Sequence, residues 1–322
     1  MSIDLPALPF AKGHGTQNDF VLIPDADGAW EPTPRQVALL CDRRVGIGGD
    51  GLIRVVRTAA LPDAGPSLGI RTGEDEGVEW FMDYRNADGN TAEMCGNGLR
   101  VFVAYLEYLG HLRLGDGEVV AVGTRAGVKR VRRDGDLFAA DLGPWRVVGG
   151  ADAARAGHDA RVWVAGEPAH LPGLRIDVGN PHAVVALPDT GRLTAADLSR
   201  PPVVEPVPRN GTNVELTVPL HDSAATLGHL AMRVHERGVG ETRSCGTGAV
   251  AAALAARVWG GDAAPDLWRV DVPGGSLRVS APAGDRLSGE SVELAGPAVI
   301  VADGCVLTAA PEAAIEAAGA FL

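Results

Sequence analysis

The sequence predicts an α/β protein built from two pseudo-symmetric halves, and two pairs of matching stretches predict it. MCGNG, Met94–Gly98, stands directly before an apolar run, Leu99–Leu109, that reads as a helix. SCGTG, Ser244–Gly248, stands before the Ala-rich run Ala249–Val258 at an offset of 245 − 95 = 150. A second pair, GTQNDFVLI (Gly15–Ile23) and VGNPHAVVA (Val178–Ala186), sets a Gly and an Asn before an apolar strand-like run, at an offset of 180 − 18 = 162. Self-similarity at a nearly fixed period is the mark of an internal repeat. At the first offset Met82 falls on Met232, Asn86 on Glu236, Cys95 on Cys245, Gly96 on Gly246 and Gly98 on Gly248. Each segment reads as strand, polar loop, Cys-Gly turn, helix, and the unequal offsets place insertions or deletions between the halves.

The remaining elements follow in order. Pro34–Asp42 reads as a short helix and Leu52–Arg57 as a strand. Ala59–Gly77, rich in Gly, Pro and acidic residues, reads as a surface excursion. Val119–Val131 and Phe138–Leu142 alternate as strands do, and the small, polar Gly149–Arg161 reads as a linker. Strands return at Arg175–Val178, Val214–Val218, Trp268–Val272, Ser276–Val279 and Ala298–Val301. The tail Ala309–Leu322 fits a short helix or a frayed end equally.

Bulk properties narrow the function classes. A chain of 322 residues, 46% hydrophobic and 22% charged, can bury a sizeable core and is not expected to be disordered. A net charge of −12 argues against a nucleic-acid grip, which usually shows a basic patch, but not against an anionic substrate held by a few local donors. Met1–Phe10 lacks a basic region and a long apolar stretch, so a secretory signal is not expected, nor is a membrane span. Four cysteines in this length do not make a disulfide scaffold, and a reducing cytoplasm is the natural setting. In that setting Asn210-Gly211-Thr212 is a turn rather than a glycosylation site.

Two motifs fail on context. GIGGDG (Gly46–Gly51) fits G-x-G-x-x-G, but a dinucleotide site needs a strand before it and a helix after it, and here the order is reversed. No C-x-x-C, H-E-x-x-H or histidine cluster marks a metal site; only a spatial meeting of the two cysteines with His182 or His235 could make one. Cys41, on an apolar helix, and Cys305, in the terminal segment, read as small buried hydrophobes. Cys95 and Cys245 read differently. Each precedes Gly-x-Gly at the mouth of a helix, where outward N–H groups stabilise an anion, lower a thiol pKa and can hold a carboxylate. Matched thiols in pseudo-symmetric halves are expected to face each other across a cleft. Such a pair can take a proton from one face of a carbon and return one to the other, while oriented donors stabilise the growing charge.

At this point GHGTQNDF, CDRRVGIGGDG, DYRNADGNTAEMCGNG, GNPHAVV, NGTNVE and HERGVGETRSCGTGA resemble the motifs of the diaminopimelate epimerases, in family order from Gly13 to Ala249. The resemblance implies a pyridoxal-phosphate-independent, cofactor-free epimerase that interconverts L,L- and meso-diaminopimelate in lysine and peptidoglycan precursor synthesis. It implies Cys95 and Cys245 as the catalytic thiols, one thiolate and one thiol in any turnover. Gly96, Asn97, Gly246 and Thr247 match the turn residues that hold the reacting carboxylate. Asn18, Asn86, Asn180 and Asn213 match substrate-binding asparagines, largely at the distal end. Glu236 and Arg237 match the pair that accepts from an ammonium and grips a carboxylate, and His182 a supporting histidine near the reacting centre. Together, repeat and resemblance imply strands wrapped around a central helix in each half, residues 1–143 with 301–322 carrying Cys95 and 144–300 carrying Cys245. The last strand, near Ala298–Leu307, is expected to return to the first half. Domain closure over substrate and a homodimer are likewise implied, with no metal, membrane or nucleic-acid partner.

One departure stands out: many members carry Gln where this chain has Gly51, so distal recognition is expected to differ in detail. Three rivals remain open. Proline racemases typically carry His at the position of Asn97 and need no Glu–Arg clamp. A related isomerase branch replaces one cysteine by an acidic residue, whereas both thiols are present here. A dithiol redox protein would leave the asparagines and Glu236–Arg237 unexplained, although a Cys95–Cys245 disulfide is conceivable as a side behaviour of the enzyme.

Overall fold

The computed structural model describes residues 7–61, 78–220, 227–282 and 284–307. Met1–Pro6, residues 62–77 of the expected excursion and the tail Ala309–Leu322 lie outside them. The chain divides into two compact units, residues 1–15, 19–131 and 298–322 in the first, and 16–18 and 132–297 in the second.

In chain order the first unit runs β1 (Leu8–Gly15), β2 (Asn18–Pro24), α1 (Pro34–Cys41), β3 (Gly51–Arg57), β4 (Trp80–Asn86), α2 (Gly96–Tyr108) and β5 (Val119–Thr124), with β6 (Gly127–Asp134) leading out of it. The second holds β7 (Leu137–Asp141), β8 (Trp145–Val147), α3 (Gly150–Ala156), β9 (Ala160–Trp163), β10 (Leu171–Asp177), β11 (Pro181–Ala186), α4 (Thr190–Ala195), β12 (Val203–Glu205), β13 (Asn213–Pro219), β14 (Gly228–Glu236), β15 (Gly240–Thr242), α5 (Gly246–Trp259), β16 (Leu267–Val272), β17 (Gly275–Ser280), β18 (Ser288–Gly289) and β19 (Glu293–Gly296). Strand β20 (Val299–Val306) pairs antiparallel with β1, so the chain's last described strand does return to the first unit. The expected linker is instead α3 and the start of β9. Asp152 in its first turn, Arg155 in its last and Gly157 at φ +72° give it helix-compatible ends. The unit boundary falls before β7, which pairs with β19 of the second unit, rather than at residue 143.

The repeat is visible in strand pairing. In the first unit β2–β3 is parallel, β3–β4 antiparallel and β4–β5 parallel. In the second, β11–β13 is parallel, β13–β14 antiparallel and β14–β16 parallel. The registers correspond residue for residue at the 162 offset: Phe20 opposite Gly51 and Leu22 opposite Ile53 in one, His182 opposite Asn213 and Val184 opposite Glu215 in the other.

Each unit closes on one long helix. In α5 every residue from Gly248 to Arg257 is buried, packed against β10, β11, β13, β14, β16 and β17. A helix apolar all round has to be buried, and alanine, the best helix former, keeps the cylinder thin enough for strands to approach. Its buried Arg257 is met by Asp266 Oδ1 (2.7 Å) and the carbonyls of Pro282 and Asp285 (both 3.3 Å). The corresponding α2 buries Gly96 to Val103 against β1, β3, β4 and β20. This is the mixed α/β, strand-wrapped-helix architecture the sequence predicts.

The first unit also buries an ion cluster. Asp83 accepts from Arg54 Nε (2.9 Å), Arg85 Nη2 (3.3 Å) and Arg125 Nη2, while Arg54 also reaches Asp25 (3.2 Å) and Glu31 (2.8 Å). Burial alone raises the Asp83 carboxyl, but Arg125, Arg85 and Arg54 outweigh it and hold it below its usual range. Cys305 does not follow the expected burial: it is exposed on β20, most of whose residues face solvent. Cys41 is buried, its thiol pushed up to about 12 by desolvation.

Candidate active site

Cys95 and Cys245 occupy the same structural position. Each is the N-cap of its long helix in extended conformation, at φ −139°, ψ 120° and φ −124°, ψ 115° respectively. Gly96 and Gly246 open the helices, and the second glycine of each turn lies against its cysteine. A Cβ on Gly98 would stand 3.4 Å from Cys95 Cβ, and one on Gly248 would stand 3.3 Å from Cys245 Cβ. Gly98 N–H donates to Cys95 Sγ at 3.4 Å. The sulfur thus sits where an N-cap oxygen normally accepts from the first helical turn.

Around Cys95 the buried Asn97 accepts, through Oδ1, from Arg100 Nη2 at 2.8 Å, and Arg100 Nη1 reaches the Gly96 carbonyl at 3.3 Å. Arg100 is fully buried, and its Nε has no hydrogen-bond partner among the described residues. Desolvation pulls its guanidinium down to about 10, and the nearby Cys95 pulls it back up. A buried cation one helical turn from the thiol is a residue the sequence reading missed. Its signal was a charge, Arg100, in the first turn of the apolar run Leu99–Leu109, whose other charge, Glu107, lies near the far end.

Around Cys245 the charges have the opposite sign. Burial raises its thiol well above the ordinary value, followed in effect by the Glu236 and Glu215 carboxylates; the Thr247 hydroxyl and Gly248 N–H pull the other way but do not win. The helix mouth therefore does not lower this thiol, contrary to expectation, because desolvation and two acidic neighbours exceed the helix-end effect. Glu236 is itself raised, first by burial, while Thr242 and Cys245, hydrogen-bonded to its carboxyl, hold it back.

The second unit gathers most of the remaining sequence-predicted residues. Asn180 Oδ1 lies 3.0 Å from His182 Nε2, and Asn180 Nδ2 lies 3.3 Å from Thr247 Oγ1, which is 3.5 Å from Cys245 Sγ. His182 Nδ1 meets Glu215 Oε1 at 2.7 Å, both side chains fully buried. Asn213 is engaged at both ends by backbone, donating to Pro181 O (3.2 Å) and accepting from Arg237 N (2.9 Å). Arg237 Nη1 donates to Asn210 O at 2.9 Å, in a turn closed by Gly211 N–H to Pro208 O. Asn18 belongs with Thr16 and Gln17 to the second unit. Thr16 Oγ1 bonds Ser244 Oγ at 2.6 Å and Gln17 accepts from Arg243, so the residues before Cys245 hold that turn at φ +50° and +64°. β-Branched Thr16 at positive φ is otherwise unfavourable. Asn86, in the first unit, is exposed at the end of β4 in a turn closed by Gly89 N–H to Asn86 O.

Glu215 is the second residue the sequence reading missed. Its signal lies in NVELTV on β13, where Asn213, Glu215 and Thr217 alternate with valine and leucine yet all are buried. Gly51 also gains a reason: a side chain there would start 2.7 Å from the Tyr84 ring and 2.6 Å from Arg85 O. GIGGDG lies between α1 and β3, the reverse of a dinucleotide-binding context.

A family model described as diaminopimelate epimerase matches residues 10–148 and 174–301. The chain is 47% identical over 306 residues to the diaminopimelate epimerase of Streptomyces coelicolor (strain ATCC BAA-471 / A3(2) / M145), covering 92% of this chain and 94% of the relative. It is 48% identical over 303 residues to that of Thermobifida fusca (strain YX), covering 92% and 97%. Among solved structures, the Bacillus anthracis phenazine biosynthesis protein of the PhzF family matches with TM-score 0.63 at 14% identity, over 94% of this chain and all of that one. A hydroxyproline epimerase from Agrobacterium vitis with bound trans-4-OH-L-proline matches with TM-score 0.57 at 14% identity, over 95% and 92%. These two show the fold; the sequence relatives and the family model show more. The chain belongs to the diaminopimelate epimerase family.

Proposed function

We propose that the chain interconverts L,L- and meso-diaminopimelate by two-base proton transfer at one α-carbon, with Cys95 and Cys245 as the two bases. The observation that carries this is the pair of thiols at equivalent N-caps, each with a Gly-x-Gly first turn. Inversion needs a base on one face of the carbon and an acid on the other, and the repeat supplies one thiol per unit. Backbone N–H groups at the openings of α2 and α5 suit the substrate carboxylate, whose charge grows as the α-proton leaves. In this reading no cofactor is needed, because the anion-binding helix ends carry the electrostatic work.

The surroundings of the thiols support one reading of their resting states. The buried Arg100 cation favours the thiolate at Cys95, while burial first, then Glu236 and Glu215, favours the neutral thiol at Cys245. Proton abstraction by Cys95 and delivery by Cys245 is then the turnover that starts from rest, and the reverse turnover starts from the opposite charge state. Asn18, Asn86, Asn97, Asn180, Asn213, Gly96, Gly246, Thr247 and Arg237 are proposed as the substrate-contacting or supporting set. Glu236, bonded to Cys245, also retains the option of accepting from the ammonium. Units carrying one thiol each are proposed as the two catalytic halves. A cytoplasmic homodimer is the proposed working form, and Val299 and Val301, exposed on β20, are apolar surface available to it.

The test is α-hydrogen exchange and epimerisation in deuterated water, with L,L-diaminopimelate, proline and other amino acids compared. Cys95→Ala and Cys245→Ala are each expected to abolish epimerisation while the protein stays folded. Activity persisting in either variant contradicts the two-base assignment, and a preference for proline contradicts the substrate.

A further inference from the structure

Behind Cys245 the structure holds an unbroken line of polar contacts that ends on a buried carboxyl. It runs Glu215 Oε1–His182 Nδ1 (2.7 Å), His182 Nε2–Asn180 Oδ1 (3.0 Å), Asn180 Nδ2–Thr247 Oγ1 (3.3 Å) and Thr247 Oγ1–Cys245 Sγ (3.5 Å). Four elements contribute: β13, β11 with the turn before it, and the N-terminus of α5. Glu215 Oε2 has no hydrogen-bond partner among the described residues, so the carboxyl's one polar commitment to another side chain is His182. Gly248 is what lets α5 come this close, since a Cβ there would lie 2.8 Å from Glu215 Oε1.

The first unit does not repeat the His–Glu pair. At the 162 offset His182 corresponds to Phe20 and Glu215 to Ile53, and both are buried apolar side chains. They also lie beside the matching glycine: a Cβ on Gly98 would be 3.1 Å from Ile53 Cδ1 and 3.5 Å from Phe20 Cζ. A fold that accommodates Phe and Ile in one copy has no packing need for a buried His–Glu pair in the other. Burying that pair costs free energy unless its contacts do something the apolar pair does not.

We propose that Glu215 is a positioning residue for Cys245, acting through His182, Asn180 and Thr247; this rests on the epimerase reading of Cys245. Asn180 Oδ1, an acceptor, faces Nε2, which therefore carries a hydrogen, and the second proton is shared between Nδ1 and the Glu215 carboxyl. Nε2–H donates to Asn180 Oδ1 and so fixes the amide's orientation. Asn180 Nδ2–H then donates to Thr247 Oγ1. With its oxygen accepting, the Thr247 hydroxyl turns its own hydrogen to the sulfur, where it stabilises Cys245 whenever that group is a thiolate. The relay orients donors and transfers no net proton. It gives a buried thiol with acidic neighbours one donor aimed at its charged form, which turnover in the second direction requires.

The test is a double-mutant cycle read on thiol chemistry, independent of turnover. Iodoacetamide alkylation of Cys245 is followed by peptide mass spectrometry, with Cys95 in the same sample as reference. Glu215→Leu and Thr247→Val are each expected to slow Cys245 alkylation about tenfold, the loss of one charge-assisted hydrogen bond, and the double variant no further. Glu215→Gln, whose amide can still donate to Nδ1 while the repulsion of the Cys245 thiolate by the carboxylate is gone, is expected to alkylate at least as fast as the parent chain. The double variant His182→Phe with Glu215→Ile installs the other unit's apolar pair, guards against a simple folding failure and is expected to match Glu215→Leu. Additive losses overturn the proposal, because Glu215 would then act on Cys245 by another route. Faster alkylation in Glu215→Leu overturns it as well, leaving Glu215 as a repelling charge alone. An intact cycle in a protein that does not epimerise diaminopimelate would instead overturn the functional reading.

Discussion

The two helix mouths share one backbone and differ in every charge around it. Cys95 and Cys245 cap their helices with nearly the same dihedrals and the same Gly-x-Gly step. Behind the first stand Phe20, Ile53 and a buried guanidinium, Arg100; behind the second stand His182, Glu215 and Glu236. An internal repeat fixes geometry twice, but the titration of a buried thiol is set by the few side chains within a turn or a strand of it. A two-base epimerase gains from that divergence, because its resting form needs one thiolate and one thiol, and two identical mouths would not choose between them.

Breaking the comparison starts with a control on buried charge. Asp83→Asn leaves three guanidiniums around a neutral amide within the first unit, and a loss of about 3–5 kcal/mol in unfolding free energy is expected. Because the Asp83 carboxyl sits below its usual range, its stabilising contribution is in place above about pH 4 and fades only as pH falls through the folded value. Urea unfolding of both proteins at pH 7 and pH 3 measures it, and the surviving folded fraction should keep normal thiol reactivity.

Next comes Arg100→Met, which keeps volume and removes the cation beside Cys95. A fall in kcat of about a hundredfold is expected, the scale of losing one preorganised electrostatic partner. Cys95 alkylation should slow while Cys245 is untouched; equal slowing of both would mean a general loosening of the fold.

Gly98→Ala and Gly248→Ala separate the mouths more finely. The new methyl at 98 presses on the far end of the Ile53 side chain, which can give; at 248 it presses on Glu215 Oε1 in its bond to His182. Activity is expected to fall about tenfold more in Gly248→Ala than in Gly98→Ala, by the cost of forcing one buried polar contact apart. Equal effects in steady-state kinetics would erase this difference.

The smallest expected effect belongs to Glu236→Gln. Removing a like charge lessens the penalty on the Cys245 thiolate, so its alkylation midpoint should move down. A midpoint that moves up contradicts the sign of the interaction.

Much of this was legible in the sequence. The repeat, both central helices and the Asn180, His182 and Thr247 neighbourhood of Cys245 follow from glycine spacing, apolar runs and family motifs. Three features were not. Arg100, which shares its run with Glu107, and Glu215 are charges inside apolar runs, and local pattern cannot say whether such a charge points to solvent or inward; only the strands closing over α2 and α5 settle it. The raised Cys245 thiol depends on three-dimensional desolvation, which outweighs the helix-end effect that sequence position does reveal. Cys305 and α3 failed for simpler reasons: a terminal strand can lie exposed, and a Gly-flanked Ala-rich stretch folds as a helix where composition reads as a linker.

The most direct test of the central claim is the pH dependence of alkylation of Cys95 and Cys245, resolved by peptide mass spectrometry in one unliganded sample. Accessibility to the reagent scales each curve without moving its midpoint, so the midpoints report the desolvation and charge around each thiol. The account predicts a Cys245 midpoint above 9 and a Cys95 midpoint clearly below it. Coincident midpoints, or Cys245 titrating first, would contradict the claim that one repeated backbone carries two oppositely charged sites.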